Sequence, residues 1–177
     1  MNPIEELEIL KRGVEVALDC FYENDWALIP LKVNEQCLVG NFYRYFCGEI
    51  GELLEDRSLR VDLEYNKCGR EMDPKMRRSG KMRWRPDMIV HRCGDSTRNV
   101  CLFEFKRYDS RKSRKREDLK KLREAVDPCW LGYHFACYIE FGKDRLACKV
   151  LWRTSLPRAE AGIATASAGR ALLVPPE

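Results

Sequence analysis

The sequence lacks the features of membrane-spanning and exported proteins. It contains no run of about 18 apolar residues, the length from which a transmembrane helix is expected. It starts Met-Asn-Pro-Ile-Glu-Glu-Leu-Glu, which is polar and acidic, whereas a signal peptide starts with basic residues followed by an apolar stretch. We therefore expect a soluble, cytoplasmic protein that does not bind a membrane.

Closely spaced cysteine pairs are also lacking, although the chain contains nine cysteines. No two of them form a Cys-x-x-Cys pattern, which is the spacing typical of structural zinc sites. An odd count is unlike a secreted disulfide framework. Cys101 and Cys137 lie within apolar runs, where a free thiol packs as a small hydrophobic group. The pattern favours reduced, mostly buried cysteines.

The length and composition indicate one compact domain. A chain of 177 residues with 45% hydrophobic residues can bury a substantial core. We place the domain in residues 1–153. From residue 154 the chain becomes rich in Ala, Gly and Ser and ends Pro-Pro-Glu, which predicts a flexible tail over 154–177.

Hydrophobic periodicity predicts an α/β fold. Apolar residues at helical spacing predict helices over 3–22, 35–54 and 111–126, the last of them very basic. Asn34 is placed to cap the second helix. Alternating segments predict strands over 59–65, 85–91, 99–106, 133–141 and 145–152. The charged stretch 66–84 is predicted to be a loop. Three successive strands before a crossover helix favour a central mixed β-sheet flanked by helices.

Asp87, Glu104 and Lys106 carry the clearest chemistry in the chain. They lie in the neighbouring strand-like segments Arg-Pro-Asp-Met-Ile-Val-His and Asn-Val-Cys-Leu-Phe-Glu-Phe-Lys. Side chains two apart on a strand share a face, so Glu104 and Lys106 project together. If the strands pair, the carboxylates of Asp87 and Glu104 converge on one cation, and carboxylate oxygens suit Mg²⁺. Lys106 would then position a water or stabilise charge on a phosphate.

A structural interpretation of the same residues is the alternative. Pro-Asp can simply begin a strand, and Glu104 and Lys106 can be the exposed face of an amphipathic strand in a chain with 34% charged residues. His91 shares a strand face with Asp87, and we interpret it as a structural histidine with a partner rather than as a ligand or a phosphate contact.

The distribution of charge favours a polyanionic partner. Residues 1–56 contain 4 Lys/Arg and 12 Asp/Glu, a net of −8, whereas residues 57–123 contain 22 and 10, a net of +12. Clustered cations bind phosphates in a salt-dependent way, although a merely solvated surface is the alternative. The predicted nucleic-acid contacts are Arg85, Arg107, Arg111, Lys112, Arg114, Lys115 and Arg116.

The chain resembles the PD-(D/E)XK nuclease superfamily, whose core is a restriction-endonuclease-like helix, three strands, helix and strand. The resemblance implies that this core spans residues 35–141. Arg-Pro-Asp at 85–87 resembles the PD motif and Glu104-Phe105-Lys106 the (D/E)XK motif. More closely, Val-Asp-Leu-Glu-Tyr-Asn-Lys at 61–67, followed by Arg-Pro-Asp-Met-Ile-Val-His-Arg, is similar to a small group of uncharacterised prokaryotic relatives, with Lys67 in place of their Arg.

The resemblance implies cleavage of DNA or RNA with Mg²⁺ or Mn²⁺, and we favour DNA as the substrate. It implies that Asp87, Glu104 and the backbone carbonyl of Phe105 bind the metal and that Lys106 orients the attacking water. A core-helix carboxylate often joins such sites, which points to Glu35. Glu64 could join the site as well, or be an ordinary exposed carboxylate.

The same resemblance leaves a second function open. Superfamily members also occur as non-catalytic modules that bind nucleic acid or protein, and many restriction-type relatives act as homodimers. On the basic helix, Asp118 and Lys121 are spaced to pair with each other locally.

Overall fold

The computed structural model describes residues 2–68, 73–76 and 83–155. Its helices in that part of the chain are α1 (Pro3–Asn24), a 3₁₀ turn (Trp26–Leu28), α2 (Glu35–Glu49), α3 (Gly51–Arg57) and α4 (Lys112–Ala125). None of them is long and apolar enough to cross a membrane. The predicted tail lies outside the described residues from 156 onward.

Polar caps define where the first two long helices begin. The Asn2 side chain accepts hydrogen bonds from the backbone N–H groups of Ile4 and Glu5, and the Glu5 side chain accepts from the Asn2 backbone. Asn34 caps α2 as predicted, because its side chain accepts from the Cys37 N–H at 2.8 Å. The cap places Glu35 in the first turn of α2.

The single helix predicted over 35–54 is divided into α2 and α3. Ile50 leaves the helical backbone conformation, with φ −101° and ψ 13°, and its side chain is buried beneath Gly13 of α1. Apolar spacing continues through the break, so the pattern alone did not reveal it.

A five-stranded mixed sheet forms the centre of the α/β fold. In chain order the strands are β1 (Arg60–Leu63), β2 (Lys67–Cys68), β3 (Asp73–Pro74), β4 (Met88–Arg92), β5 (Asp95–Arg107), β6 (Phe135–Phe141) and β7 (Lys149–Thr154). The large sheet has the order β1-β4-β5-β6-β7, and β2 pairs with β3 separately. Only the β5–β6 pair is parallel among these described neighbours, since α4 is the crossover between them.

The predicted pairing of the two motif strands is confirmed. β4 and β5 are antiparallel neighbours, with Met88 opposite Phe103 and Ile89 opposite Leu102. They join through a tight turn in which Gly94 adopts φ +75°, a left-handed conformation that glycine tolerates best.

The two faces of the sheet pack against different helices and form two separate apolar clusters. Phe103 and Phe105 of β5 enter a large apolar cluster with α1 and α2, which also contains Cys101 and Cys137. Leu102, on the other face, belongs to a smaller cluster beneath α4. That smaller cluster leaves room for the polar side chains of the candidate site.

The stretch 66–84 is not wholly a loop, contrary to the prediction. It contains the β2–β3 pair, and Lys75 and Trp84 are both buried. The backbone N–H of Lys75 donates to the Asn66 carbonyl, and that of Trp84 donates to the Lys75 carbonyl, each at 2.7 Å. Because the stretch is highly charged, its sequence pattern did not indicate that Lys75 and Trp84 are buried.

Gly142, directly after β6, tests the packing there, and Gly40 of α2 serves as a control. A Cβ on Gly142 would lie 2.4 Å from the backbone carbon of Ala147, whereas a Cβ on Gly40 of α2 would meet nothing within 4 Å. We expect Gly142→Ala to lower the free energy of unfolding by about 1–3 kcal/mol. The matched change Gly40→Ala should instead raise it by roughly 0.5–1 kcal/mol. Urea unfolding measures both, and equal stability of the two variants would contradict this packing.

Candidate metal and active site

The candidate site lies between the sheet and α4. Asp87 immediately precedes β4, and Glu104 and Lys106 come from β5. In the parallel register with β6, Glu104 lies beside Tyr138 and Lys106 beside Glu140. The α4-facing side of the sheet therefore carries a polar layer, while Phe103 and Phe105 serve the apolar layer on the opposite side.

Asp87 is held against the strand that carries the other two motif residues. Its Oδ2 accepts a hydrogen bond from the Phe105 backbone N–H at 2.7 Å. Burial raises the pKa of Asp87, although this hydrogen bond and the charge of Lys106 oppose the rise. The carbonyl of Asp87 accepts from the backbone N–H of Glu64 at 3.1 Å, which ties the residue to β1 as well.

Glu104 is the most enclosed carboxylate of the site, at 1% exposure. Its Oε1 accepts from the Trp84 indole N–H at 2.8 Å, and its Oε2 accepts from the Lys121 ammonium at 3.0 Å. Burial, with the neighbouring charge of Asp87 second, raises the pKa of Glu104 to about 8. The two carboxylates are thus close enough to resist being charged together.

Lys106 is surrounded by oxygen atoms. Its Nζ donates to the Phe105 carbonyl at 2.7 Å and lies 3.2 Å from Asp118 Oδ2 and 3.4 Å from Glu35 Oε1. Burial disfavours the ammonium, but the charges of Asp87, Asp118 and Glu35 outweigh that effect and raise the pKa of Lys106. The side chain is therefore a fixed positive charge at neutral pH rather than a ready base.

Asp118 and Lys121 belong to the site, which the sequence analysis did not predict. Their predicted local pair exists, with Lys121 Nζ 2.7 Å from Asp118 Oδ1. The pair also reaches the sheet, because Asp118 contacts Lys106 and Lys121 contacts Glu104. One signal was available: Asp118 precedes the buried Leu122 by four positions and Ala125 by seven, so it shares their helix face.

Trp84 is a second residue that the sequence analysis missed. Its side chain is 2% exposed, and its indole N–H is the partner of Glu104. A lone aromatic between Arg83 and Arg85, two residues before Pro86, was the local hint that this charged stretch returns to the core.

Glu35 and Glu64 line an open cleft beside Asp87. The cleft has a volume of about 450 Å³ and is also lined by Gln36, Val39 and Leu63. Glu35 contacts Lys106 and accepts from the Arg107 backbone N–H at 3.3 Å. The structure thus brings Glu35 to the site through the cap that begins α2.

Glu64 lies at the rim of this cleft. Its carboxylate accepts from the Gln36 amide at 2.5 Å and lies 3.5 Å from the Arg85 guanidinium. Its backbone is left-handed, with φ +50°, which ends the alternation of β1. The alternation predicted over 59–65 would place Tyr65 on the same face as Val61; instead, Tyr65 packs beside the smaller cluster under α4, whereas Val61 belongs to the large cluster.

The seven predicted nucleic-acid contacts fall into two groups. Arg107 and Lys115 have internal partners: Arg107 donates to Asp109 and to the Val33 carbonyl, and Lys115 donates to the Tyr108 carbonyl and pairs with Glu140. The other five are exposed, namely Arg85, Arg111, Lys112, Arg114 and Arg116. Arg85 lies before β4 beside Glu64, whereas the other four exposed residues follow the end of β5, just beyond Lys106.

Asp87 and Glu104 offer carboxylate oxygens, the type of donor atom that a hard divalent cation prefers. Within the described residues, no group of three or more His, Cys, Asp and Glu side chains forms a ready-made metal cluster. Mg²⁺, however, is commonly held by one or two carboxylates and retains several waters. Two carboxylates and the Phe105 carbonyl meet that requirement.

The local charge supports the same fit. Asp87, Glu104 and Asp118 face Lys106 and Lys121, and Glu35 adds a fourth carboxylate. These four carboxyl groups outnumber the two ammonium groups, and since the pKa of Glu104 is raised to about 8, a bound divalent cation would favour its charged form.

Comparison of the chain with family models, with curated proteins and with solved structures found no match. The resemblance to the PD-(D/E)XK superfamily therefore stays a prediction, carried by the residues of this chain alone.

His91 lies away from the candidate metal ligands. Its Nε2 is 2.8 Å from Asp62 Oδ2, its ring is 4.6 Å from that of Tyr65, and only 3% of the residue is exposed. Burial lowers the pKa of His91 from 6.5, more than the Asp62 carboxylate raises it. The interpretation of His91 as a structural histidine with a partner agrees with these contacts.

The lowered pKa of His91 predicts a pH dependence of stability. The unfolded chain binds a proton at His91 near the ordinary value of 6.5, and the folded protein binds it only at lower pH. Above pH 6.5, His91 is neutral in both states and its protonation does not oppose folding. As the pH falls below 6.5, the unfolded chain binds a proton that the folded protein does not, and the free energy of unfolding decreases. We expect the free energy of unfolding of the parent, relative to His91→Gln, to decrease as the pH is lowered through 6.5 in urea titrations. A constant difference would contradict a buried neutral His91.

Proposed function

We propose that this protein is a metal-dependent nuclease that hydrolyses phosphodiester bonds, with DNA as the favoured substrate. The observation that carries the proposal is the meeting of Asp87, Glu104 and Lys106 in one buried polar layer that contains more carboxyl than ammonium groups, beside the exposed cations of α4. A restriction-endonuclease-like core and membership of the PD-(D/E)XK superfamily are part of the same proposal.

Asp87, Glu104 and the Phe105 carbonyl would hold Mg²⁺ or Mn²⁺. A bound cation of this kind lowers the pKa of water and neutralises charge on a phosphate. Glu35 would face the same ion through the cleft, and Glu64 would act at its rim. These residues come from four parts of the chain, namely α2, the end of β1, the start of β4, and β5, so the site depends on the intact fold.

Lys106 supplies the positive charge beside the reacting phosphate in this proposal. Because Asp87, Asp118 and Glu35 keep the amine protonated, it can orient a water by donating to its oxygen and can stabilise an anionic transition state. It would not remove a proton from water in the free protein.

The exposed cations of α4 provide the approach for the substrate. Arg111, Lys112, Arg114 and Arg116 occupy the start of this helix, where the helix dipole adds partial positive charge. Charge of this sign binds a polyanion regardless of its sequence. A homodimer remains a prediction that rests on the family resemblance alone.

Variants of the motif residues test catalysis. We expect Asp87→Asn and Lys106→Met each to lower the rate of cleavage of plasmid and single-stranded DNA, in Mg²⁺ or Mn²⁺, by about 100-fold or more. Asp56→Asn and Lys11→Met are matched controls, because Asp56 lies on α3 and Lys11 on α1, away from the site. Equal cleavage by the parent and both motif variants would reject the assignment and indicate a contaminating nuclease.

A second function is favoured by one specific observation. Both oxygens of Glu104 already accept hydrogen bonds, from Trp84 and Lys121, so the buried charges also form a self-sufficient structural network. Such a protein would bind nucleic acid through α4 without cutting it.

Salt dependence tests the binding surface, which both functions share. We expect Arg114→Ala and Arg116→Ala each to weaken binding to DNA. Each should also make the negative slope of log K against log salt concentration less steep by about 1. Arg12→Ala on α1 is the control, because Arg12 is exposed at an acidic groove that includes Glu49 and Glu52. An unchanged slope in both α4 variants would exclude this face. Salt-sensitive binding without cleavage in any metal would favour the binding module.

A further inference from the structure

Glu104 is held by two donors of different character, one on each oxygen. The Lys121 ammonium reaches Oε2 from α4, and the Trp84 indole N–H reaches Oε1 from the segment between β3 and β4. A carboxylate offers about four lone-pair directions, so one direction on each oxygen remains for a further ligand. The two hydrogen bonds therefore determine which lone pairs of the Glu104 carboxylate remain available to a further ligand.

The indole is the more restrictive of these donors. An ammonium group carries three rotatable N–H donors on a flexible four-carbon chain, and Lys121 divides its donors between Glu104 and Asp118. Indole has one N–H in the plane of a rigid ring. The orientation of the Glu104 carboxylate is consequently determined mainly by where the Trp84 ring lies.

The position of the Trp84 ring is itself well determined. The side chain belongs to the buried cluster that includes Ile89, Leu102 and Leu122. Its backbone N–H donates to the Lys75 carbonyl at 2.7 Å, and Lys75 in turn donates from its N–H to Asn66. Packing and backbone hydrogen bonds thus hold the ring from two sides.

We propose that Trp84 is a positioning residue of the metal site, whose indole N–H orients the Glu104 carboxylate toward a divalent cation. The proposal rests on the proposed function, since it assigns Trp84 a role toward the metal that Glu104 would bind. Partners that orient a metal ligand in this way typically contribute 10–100-fold to metal affinity or activity.

Affinity for Mn²⁺ tests the role directly. Electron paramagnetic resonance of free Mn²⁺ gives the dissociation constant for the full-length parent, Trp84→Phe and the control Trp130→Phe. Phenylalanine keeps an aromatic ring and removes the N–H. Trp130 is a suitable control because its indole N–H donates to the Met76 carbonyl and its side chain is partly exposed.

The expected result is a weakening of Mn²⁺ binding by about 10- to 100-fold in Trp84→Phe, with no change in Trp130→Phe and with similar thermal midpoints. If Trp84→Phe does not fold, the closer isostere benzothienylalanine at position 84 replaces N–H by sulfur and keeps the ring shape, and the same loss is expected. Parental affinity in a folded variant without the N–H would overturn the positioning role.

Failure of the proposed function has a different signature. A parent that binds no Mn²⁺ would remove the metal site and with it the role of Trp84. A parent that binds Mn²⁺, loses it in Glu104→Gln and keeps it in Trp84→Phe would leave the metal site standing and reject the positioning role alone.

Discussion

The buried charge network between the sheet and α4 is the interaction on which the rest of the site depends. Glu104 is joined to Lys121, Lys121 to Asp118, and Asp118 to Lys106. Removing one partner from such a network leaves an uncompensated charge away from water, which typically costs about 3–5 kcal/mol. The network therefore constrains how α4 packs on β5 and β6, and α4 in turn carries the exposed cations outward.

Because side chains alternate along β5, one face of the sheet is apolar and the other carries the polar residues of the candidate site. Phe103 and Phe105 enter the apolar cluster with α1 and α2, whereas Glu104 and Lys106 enter the polar layer beneath α4. Burial in that layer raises the pKa of Glu104 to about 8, and the excess of carboxylates keeps Lys106 charged. Stability thus comes mainly from one face, and reactive chemistry is concentrated on the other.

Much of this arrangement was predictable from local patterns. The alternation in the segments around Asp87 and Glu104 predicted adjacent strands, and Asn34 predicted the start of α2 that brings Glu35 to the cleft. Strand alternation and helix caps are properties of a few neighbouring residues, so they can be read without knowledge of the rest of the chain. The same locality explains the failures at Ile50 and Glu64, where contacts or backbone conformation interrupt a pattern that otherwise continues.

The sequence by itself determined the α/β order of the long helices and of the five strands in the central sheet, and the face that Glu104 and Lys106 share. Only the tertiary structure decided that Trp84, Asp118 and Lys121 surround them, and that Arg107 and Lys115 are engaged inside the protein. Trp84 and Lys121 are 20 and 17 positions from Glu104, and Arg107 is 74 positions from Val33, so these contacts join elements that are distant in the sequence. The sequence pattern specifies the element and the face on which a side chain lies. Its partner depends on which elements pack against that face.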